Sequence, residues 1–467
     1  MNLGARGRPR AARHMAYFDL LEALPRPGCP ICYLAKRTTY RYLDILSYEN
    51  VNDPGLRARL RAARGFCRYH AWQFVDDLDD GLGTAIIYRD IVESMLAALA
   101  AAGVGSAGAN GPSPLLAGLR SAHGSQGHDL VRRLAPRGEC PACYQLDLLT
   151  RVFVDILLDH LDDPDLSAAL ARSTGLCLPH LAQALGRART WEQAERLART
   201  VGQAYARLSP DGLTIAAVLP LLVGEPGAVL VRSPWPPAGP APAAGAVVPE
   251  GGGCLVCRGA LAAGDSCLRD LASAEAESVG NLCNAHAARY LALGLAGGDV
   301  GARLLAQWAD RLLALPSPVA SPRRRAAVLA VLGRPASLGL EAAVAWGLAS
   351  PAACPACLDQ AGAEQALSML VDEREHGALC LSHFLLGLLN AADARAQRSL
   401  AAGQSEAYRD IVASLSEFIR KRDYRFTHEP PGEEADSPER AVALVAGARE
   451  LGGVGQLPGA PRRGQRG

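Results

Sequence analysis

Twelve of the 13 cysteines in this 467-residue sequence belong to a pattern that occurs four times. In each copy a C-x2-C pair is followed by a C-x2-H pair, with 22 to 34 residues between the two pairs. Three thiolates and one imidazole make a closed tetrahedral shell, which is typical of structural zinc and leaves no position for a substrate water. We expect up to four zinc ions per chain, one in each copy. The predicted ligand sets are Cys29, Cys32, Cys67 and His70; Cys140, Cys143, Cys177 and His180; Cys254, Cys257, Cys283 and His286; and Cys354, Cys357, Cys380 and His383.

The spacing within each pair explains why these residues could bind one ion. Two cysteines separated by two residues can turn both sulfurs towards a common point, and Pro30, Pro141 and Pro355 stiffen that turn. Residues three apart at a helix start lie on one face, which suits the C-x2-H pair. The positive end of the helix also lowers the pKa of the thiol and favours the thiolate.

The same cysteines allow several alternative interpretations. An iron–sulfur cluster or a metal-free redox dithiol could use the same cysteines, although the donor set favours zinc over both. Buried cysteines could also act as small hydrophobic residues. The third copy departs most from the pattern, because Leu255 replaces the proline and Cys267 could compete as a ligand. An inert core thiol is the preferred interpretation of Cys267.

Other candidate residues carry weaker signals. His160 lies on an apolar helical stripe and is predicted to be a hydrogen-bonded core residue, and His376 is predicted to interact with a helix end. The arginine runs 57–68 and 323–325 could contact phosphate, but solvated helix faces explain them equally well. The sequence contains no Gly-rich phosphate loop, Ser/His/Asp set or recognisable pair of carboxylates.

The elements that must position these residues are helical. Leu146, Leu149, Phe153 and Leu157 recur at three- and four-residue steps, and no period-two strand pattern stands out. Asp-Pro steps at 53–54 and 163–164 predict the starts of second helices, since Asp caps the free amides and Pro suits the first helical position. Gly65 and Gly175 are placed to end those helices in the left-handed conformation. The fold is predicted to be all-α, with tandem modules that are each stapled by one closed zinc site.

Spacing and composition suggest tandem duplication. The C-x2-C pairs begin 111, 114 and 100 residues apart, and Gly- and Pro-rich segments separate the modules. The predicted organisation is a disordered N-terminus (1–15), module 1 (16–102), module 2 (115–231), a linker (232–253), a degenerate module 3 (254–315), module 4 with C-terminal helices (324–451) and a disordered tail (452–467).

Charge and hydropathy exclude some classes of protein. The formal net charge is +1, from 48 basic and 47 acidic residues, so no overall field would attract nucleic acid or an anionic membrane. The longest apolar stretch, 215–223, is about half of the roughly 20 residues that a membrane span needs. Without a visible secretory signal, we expect a cytoplasmic protein, where paired cysteines bind metal or act in redox chemistry rather than form structural disulfides.

Two segments resemble a known family. The CPIC motif at 29–32, the segment 48–54 and the GFCRYH motif at 65–70 resemble the start of a bacterial family of unknown function. The FIRKRDYRF segment at 418–426 is similar to the C-terminal signature of that family, although this chain carries extra modules. The YRDIV motif at 88–92 recurs at 408–412, which supports a shared ancestral module. The resemblance implies no activity.

Three functional hypotheses follow. Closed metal sites on tandem helical units favour a non-enzymatic zinc-binding scaffold with an unknown protein partner. A zinc/thiol redox switch or oxidoreductase that uses the C-x2-C pairs is the alternative. Nucleic-acid binding is the third, and the near-neutral charge argues against it.

Overall fold

The protein is described here by a computed structural model. It describes residues 13–104, 125–208, 214–229, 232–233, 253–273, 279, 281–295, 300–314, 354–369, 371, 378–426, 428–449, 451 and 454–455. The predicted disordered segments 1–15 and 452–467 therefore lie mostly outside the described residues, as do His376 and the arginine run 323–325.

The described chain is built from helices, which confirms the predicted all-α fold. In chain order these are α1 (Met15–Ala23), α2 (Pro30–Ile45), α3 (Pro54–Ala63), α4 (Arg68–Asp76), α5 (Gly81–Ala101), α6 (Ser125–Leu134), α7 (Pro141–Asp159), α8 (Pro164–Arg172), α9 (Leu178–Arg187), α10 (Trp191–Arg207), α11 (Ile215–Val223), α12 (Leu255–Ser273), α13 (Asn284–Ala292), α14 (Val300–Leu313), α15 (Pro355–Met369), α16 (Leu381–Asn390), α17 (Ala394–Lys421) and α18 (Ser437–Ala446). A π-helical turn (Leu46–Asn50) follows α2. Strands β1 (Arg232–Ser233) and β2 (Val454–Gly455) form a two-residue parallel pairing.

Helix boundaries follow local sequence signals. Asp53 accepts a hydrogen bond from the Leu56 amide at 2.6 Å, and Asp163 accepts one from the Asp165 amide at 3.0 Å, so both predicted Asp-Pro starts are confirmed. Gly65 follows α3 with a φ of +96°, and its amide donates to the Leu60 carbonyl at 2.8 Å. This left-handed turn ends α3 two residues before the C-x2-H pair.

The chain forms two compact units, and each is assembled from distant segments. Unit 1 contains residues 1–38, 146–229 and 274–352, and unit 2 contains residues 39–145, 230–273 and 353–467. The module boundaries predicted from the sequence are a different division and stay a prediction.

The core of unit 1 joins helices of modules 2 and 3. Helix α14 packs on α10 and α11, and α13 packs on α11. Gly202 allows the approach of α14, since a Cβ atom there would lie 3.0 Å from Leu312 Cβ. Tyr205 on α10 is fully buried and donates to the Leu176 carbonyl at 2.6 Å.

The core of unit 2 repeats this plan with helices of modules 1 and 4. Helix α5 packs on α17 and α18, and α4 packs on α18. The α5 and α17 helices carry the two YRDIV motifs, and Tyr88 and Tyr408 of these motifs are fully buried. Phe418 on α17 lies against Gly81 at the start of α5, where a Cβ atom would be 3.1 Å from its ring. In the described residues, these helix contacts therefore join modules 2 and 3 in unit 1, and modules 1 and 4 in unit 2.

Modules 3 and 4 are shortened where the sequence lacks the Asp-Pro step. One helix, α12, follows Cys254, and one helix, α15, follows Cys354. The two helices pack closely, because Gly259 faces Leu367 and Gly264 faces Gln360. These contacts run in opposite directions along the two helices, so α12 and α15 are antiparallel.

Candidate metal centres

Three groups lie entirely within one unit, and each of them contains three cysteines and one histidine. We call them site A (Cys29, Cys32, Cys177 and His180, in unit 1), site B (Cys67, His70, Cys140 and Cys143, in unit 2) and site C (Cys254, Cys257, Cys380 and His383, in unit 2). In each group one ligand atom per residue lies within 4.8 Å of all the others. These groups could hold metal ions.

The predicted residues come together, but the pairing within modules is wrong. Site A combines the C-x2-C pair of module 1 with the C-x2-H pair of module 2, and site B combines the complementary pairs of the same two modules. Site C combines the C-x2-C pair of module 3 with the C-x2-H pair of module 4. The sites therefore join neighbouring modules, whereas the sequence predicted one self-contained site in each.

The remaining predicted ligands are divided between the two units. Cys283 and His286 lie in unit 1, where the Cys283 Sγ atom is 3.3 Å from His286 Nδ1. Cys354 and Cys357 lie in unit 2 at the start of α15. Two of the predicted ligand sets are therefore wrong. One joined Cys283 and His286 to Cys254, and the other joined Cys354 and Cys357 to Cys380, but Cys254 and Cys380 both belong to site C.

Helix starts position every one of these pairs. Cys67, Cys177 and Cys380 are the N-cap residues of α4, α9 and α16, with extended backbone at the cap. The histidine three residues later turns its Nδ1 atom to the same point, at 3.2 to 3.3 Å from that cysteine's Sγ atom. Each C-x2-C pair brackets the first turn of α2, α7 or α12.

The distances fit a tetrahedron around one ion. Zinc bonds of about 2.3 Å to sulfur and about 2.05 Å to nitrogen give tetrahedral edges of about 3.8 Å between sulfurs and about 3.6 Å between sulfur and nitrogen. The observed Sγ–Sγ distances are 3.4 Å for Cys67–Cys143, 3.6 Å for Cys257–Cys380 and 3.7 Å for Cys32–Cys177. The three sites span 3.2 to 3.7 Å between Sγ and Nδ1. None of the 13 cysteines, all of which lie in the described residues, forms a disulfide, whose S–S bond would be about 2.05 Å long.

Electrostatics limit how many of the sulfurs in such a group can be anionic in the absence of a cation. Burial alone would lower the pKa of His70, but the Cys67 and Cys140 thiolates raise it to about 10. Hydrogen bonds from its neighbours hold the pKa of Cys140 well below its usual value despite burial, while the adjacent Cys140 and Cys67 sulfurs raise the pKa of Cys143. Without a bound ion, the thiolates repel one another and cannot all be anionic together.

Groups outside the ligand sets support sites A and C, and the sequence did not reveal them. In site C the Nε2 atom of His383 lies 3.5 Å from the Glu364 carboxylate, an arrangement that fixes a ligating imidazole and raises its basicity. In site A the backbone amide of Glu225 hydrogen-bonds to the Cys32 sulfur. In site B the Nε2 atom of His70 is buried and has no hydrogen-bond partner.

Two left-handed glycines approach the sulfurs of sites A and C. A Cβ atom at Gly224 would lie 3.6 Å from Cys177 Sγ, and one at Gly447 would lie 3.5 Å from Cys380 Sγ. Their φ angles are +76° and +91°. Each glycine directly follows a short apolar helix, α11 or α18, so the only sequence signal was a glycine after an apolar run.

The thirteenth cysteine belongs to none of these groups. Cys267 is buried, and burial together with its hydrogen bond to Asp359 raises its pKa to about 12. A protonated thiol is a poor ligand and a poor nucleophile, which agrees with the predicted inert core thiol. His160 is also a core residue, as predicted: its ring packs on that of Tyr17 at 4.8 Å, but its Nε2 atom has no hydrogen-bond partner.

Arginines of the run 57–68 form hydrogen bonds and an ion pair within unit 2. Arg57, Arg64 and Arg68 donate to backbone carbonyls, and Arg61 forms an ion pair with Asp90 at 2.8 Å. These contacts account for the run without a phosphate ligand. No described helix is both long enough and apolar enough to cross a bilayer.

Comparison with known proteins supports the resemblance in part. Residues 17–206, less than half of the chain, match a family of unknown function (DUF6062). The chain is also similar to an uncharacterized 23.9 kDa protein in the xynA 3' region of Caldicellulosiruptor sp. (strain Rt8B.4), with 36% identity over 75 residues. That alignment covers 16% of this chain and 36% of the relative, so only about a third of the relative is spanned. No solved structure matches the chain.

The region that matches the family contains two of the candidate metal sites. All eight residues of sites A and B lie within 17–206, so the matched region contains two complete donor sets that interlock two modules. The predicted C-terminal resemblance at 418–426 lies outside the match and stays a prediction. The chain is therefore similar, over its first two modules, to a family of unknown function.

Proposed function

We propose that this protein is a non-enzymatic, zinc-binding helical scaffold that binds a protein partner in the cytoplasm. The observation that carries the proposal is the donor set of sites A, B and C, in which three sulfurs and one Nδ1 atom lie within 4.8 Å of one another. Cys283, His286, Cys354 and Cys357 supply the same donor types, and we include all sixteen predicted ligands in the proposal.

Donor chemistry supports zinc over the alternatives. Thiolate and imidazole ligands in a tetrahedral arrangement select zinc, and four protein donors leave no position for a reacting water. Common iron–sulfur clusters use four cysteines and contain two or four irons. Donor atoms that lie within 4.8 Å of one another suit a single ion better than a cluster.

The scaffold role rests on what each ion would join. Sites A and B both link module 1 to module 2, and site C links module 3 to module 4. A structural zinc site contributes on the order of 10 kcal/mol to folding, which is comparable with the net stability of an ordinary domain. The ions would therefore hold the modules in register.

A protein partner is supported by exposed apolar side chains in unit 2. Tyr40, Ile45 and Tyr48, on the end of α2 and the π-helical turn, are 41%, 51% and 92% exposed. Aromatic residues are enriched in protein interfaces. The net charge of +1 gives no comparable support for nucleic-acid binding.

Elemental mass spectrometry of the purified chain, run together with an optical spectrum, tests the proposal. We expect three to four equivalents of zinc and no visible absorption. The matched control is Cys267→Ser, which should keep all of the zinc because this thiol lies outside the donor groups. Iron with visible absorption, or a chain that folds without bound metal, would overturn the proposal.

A further inference from the structure

The three sites differ in how well solvent reaches their sulfurs. All eight ligands of sites A and C are buried, with relative exposures of 0 to 9%. In site B, Cys67 is only half-buried, while His70, Cys140 and Cys143 are buried. An oxidant that diffuses in solution therefore meets a ligand sulfur in site B more easily than in the other two sites.

The imidazole of site B also lacks a hydrogen-bond partner on its outer nitrogen. Glu364 lies behind His383 in site C, and the Glu225 amide contacts Cys32 in site A, but His70 Nε2 in site B has no hydrogen-bond partner. Partners of this kind orient a ligand, and their loss typically lowers metal affinity about 10- to 100-fold. Exposure and lack of support thus coincide at one site.

The sulfurs of site B are placed for disulfide formation. Cys67 Sγ lies 3.4 Å from Cys143 Sγ, which is the shortest of the Sγ–Sγ distances reported above. A disulfide bond is about 2.05 Å long, so the two sulfurs need to approach by little more than an ångström.

We propose that site B is a peroxide-sensitive modification site, in which Cys67 is oxidised first and then forms a disulfide with Cys143. This inference rests on the proposed zinc binding and goes beyond it, because it assigns a reaction to one of the sites. Sites A and C keep their zinc under the same conditions.

The chemistry balances with hydrogen peroxide as the oxidant. The Cys67 thiolate attacks one peroxide oxygen, the O–O bond breaks, and hydroxide leaves, which gives a sulfenic acid at Cys67. The Cys143 thiolate attacks that sulfur, the S–O bond breaks, and a second hydroxide leaves. Two thiolates lose two electrons in total, and one peroxide is reduced to two hydroxides. Only Cys140 and His70 would then remain to hold an ion, so a bound zinc would be released.

The structural effect would be local. Site B links the start of α4 to the start of α7. Helix α4 also contacts the end of α18, since Trp72 donates to the Gly447 carbonyl at 2.9 Å. Arg68 donates to the Ala446 carbonyl at 3.1 Å. Oxidation would thus replace the zinc-mediated link between the start of α4 and the Cys140–Cys143 pair with a direct Cys67–Cys143 bond, while α4 keeps its contacts with Ala446 and Gly447 at the end of α18.

The test uses the full-length, zinc-loaded chain and hydrogen peroxide. Zinc content is measured first, and its absence would count against the zinc proposal and not against the order of oxidation. A chromogenic zinc indicator then follows release, and peptide mass spectrometry locates each disulfide. We expect a Cys67–Cys143 disulfide to form at least tenfold faster than any disulfide within sites A or C. Cys283 and Cys357 are also half-buried, so location by mass decides rather than release amplitude.

Two matched variants sharpen the result. Cys67→His keeps a tetrahedral donor set but removes the oxidisable sulfur, so the release phase that accompanies the Cys67–Cys143 disulfide should disappear. Cys177→His makes the same change in site A and should leave that phase intact. If Cys67→His fails to hold zinc, the disulfide map of the unmodified chain decides alone. Faster disulfide formation in site A or C, or equal rates at all sites, would overturn the inference.

Discussion

The interlocked pairing can be tested by counting zinc in single and double variants. Cys32 and Cys177 are 145 residues apart in sequence but have Sγ atoms 3.7 Å apart in site A. Cys67, only 35 residues after Cys32, belongs to site B. Cys32→Ser and Cys177→Ser should therefore each remove the same zinc ion, and the double variant should lose one equivalent. Cys32→Ser combined with Cys67→Ser should lose two.

Free energies of unfolding should show the same pattern. Cys32 and Cys177 are both fully buried, so a site that loses either sulfur cannot recruit a solvent-exposed replacement. If an intact site contributes on the order of 10 kcal/mol, the first substitution removes most of it and the second has little left to remove. The coupling energy in a double-mutant cycle should reach several kcal/mol for Cys32 with Cys177. For Cys32 with Cys67 it should stay within about 0.5 kcal/mol, as for independent sites.

The assay combines elemental mass spectrometry after a chelator wash with urea unfolding of each variant. Cys267→Ser serves as the control, since this variant should keep all of its zinc and the coupling energy between Cys32 and Cys177 should be unchanged in it. If Cys32→Ser with Cys177→Ser lost two equivalents, and Cys32→Ser with Cys67→Ser lost one, each module would hold its own ion. That result would refute the interlocked pairing.

Three further outcomes follow from the contacts described above. Gly224→Ala should destabilise the protein by more than about 1 kcal/mol in urea unfolding, because its Cβ would lie 2.4 Å from Val229 Cγ2 and the backbone φ there is +76°. The control Gly186→Ala, where a Cβ meets open space within α9, should be neutral or stabilising. Glu364→Gln should weaken one zinc site about 10- to 100-fold in chelator competition without changing the zinc count, and the exposed Glu406→Gln should not. A protease site inserted within 234–252 should yield two fragments that co-elute after cleavage, because each unit contains helices from both sides of the cut; separation of the fragments would contradict this.

The helices and the ligands were predictable because their signals are local. Asp53 and Asp163 cap helices through their own side chains, and Cys67 and Cys177 start α4 and α9 at the expected positions. Such features depend on a few neighbouring residues. The recurrence of the YRDIV motif also pointed to related helices, but nothing in it indicated that Tyr88 and Tyr408 would be buried in the same core.

The supporting groups were not predictable from the sequence. Glu364 precedes His383 by 19 residues and lies on the preceding helix, so the contact depends on how α15 packs on α16. Glu225 follows Cys32 by 193 residues and reaches it through the turn that Gly224 begins. Contacts of this kind arise from tertiary packing, which spacing along the chain does not encode.

The choice of partner for each C-x2-C pair was decided by packing, which outweighs a small entropic preference for the nearest partner. Closing a loop of 145 residues instead of 35 costs only about 1.3 kcal/mol more, since the cost grows with the logarithm of loop length. Burying one additional leucine side chain contributes about 1.5 to 3 kcal/mol. Each unit buries many such side chains between its helices, among them Leu197 and Leu312 in unit 1 and Ile91 and Leu415 in unit 2. Because every C-x2-C pair offers the same donors to every C-x2-H pair, the ligands themselves cannot discriminate between partners, and the helix contacts must do so.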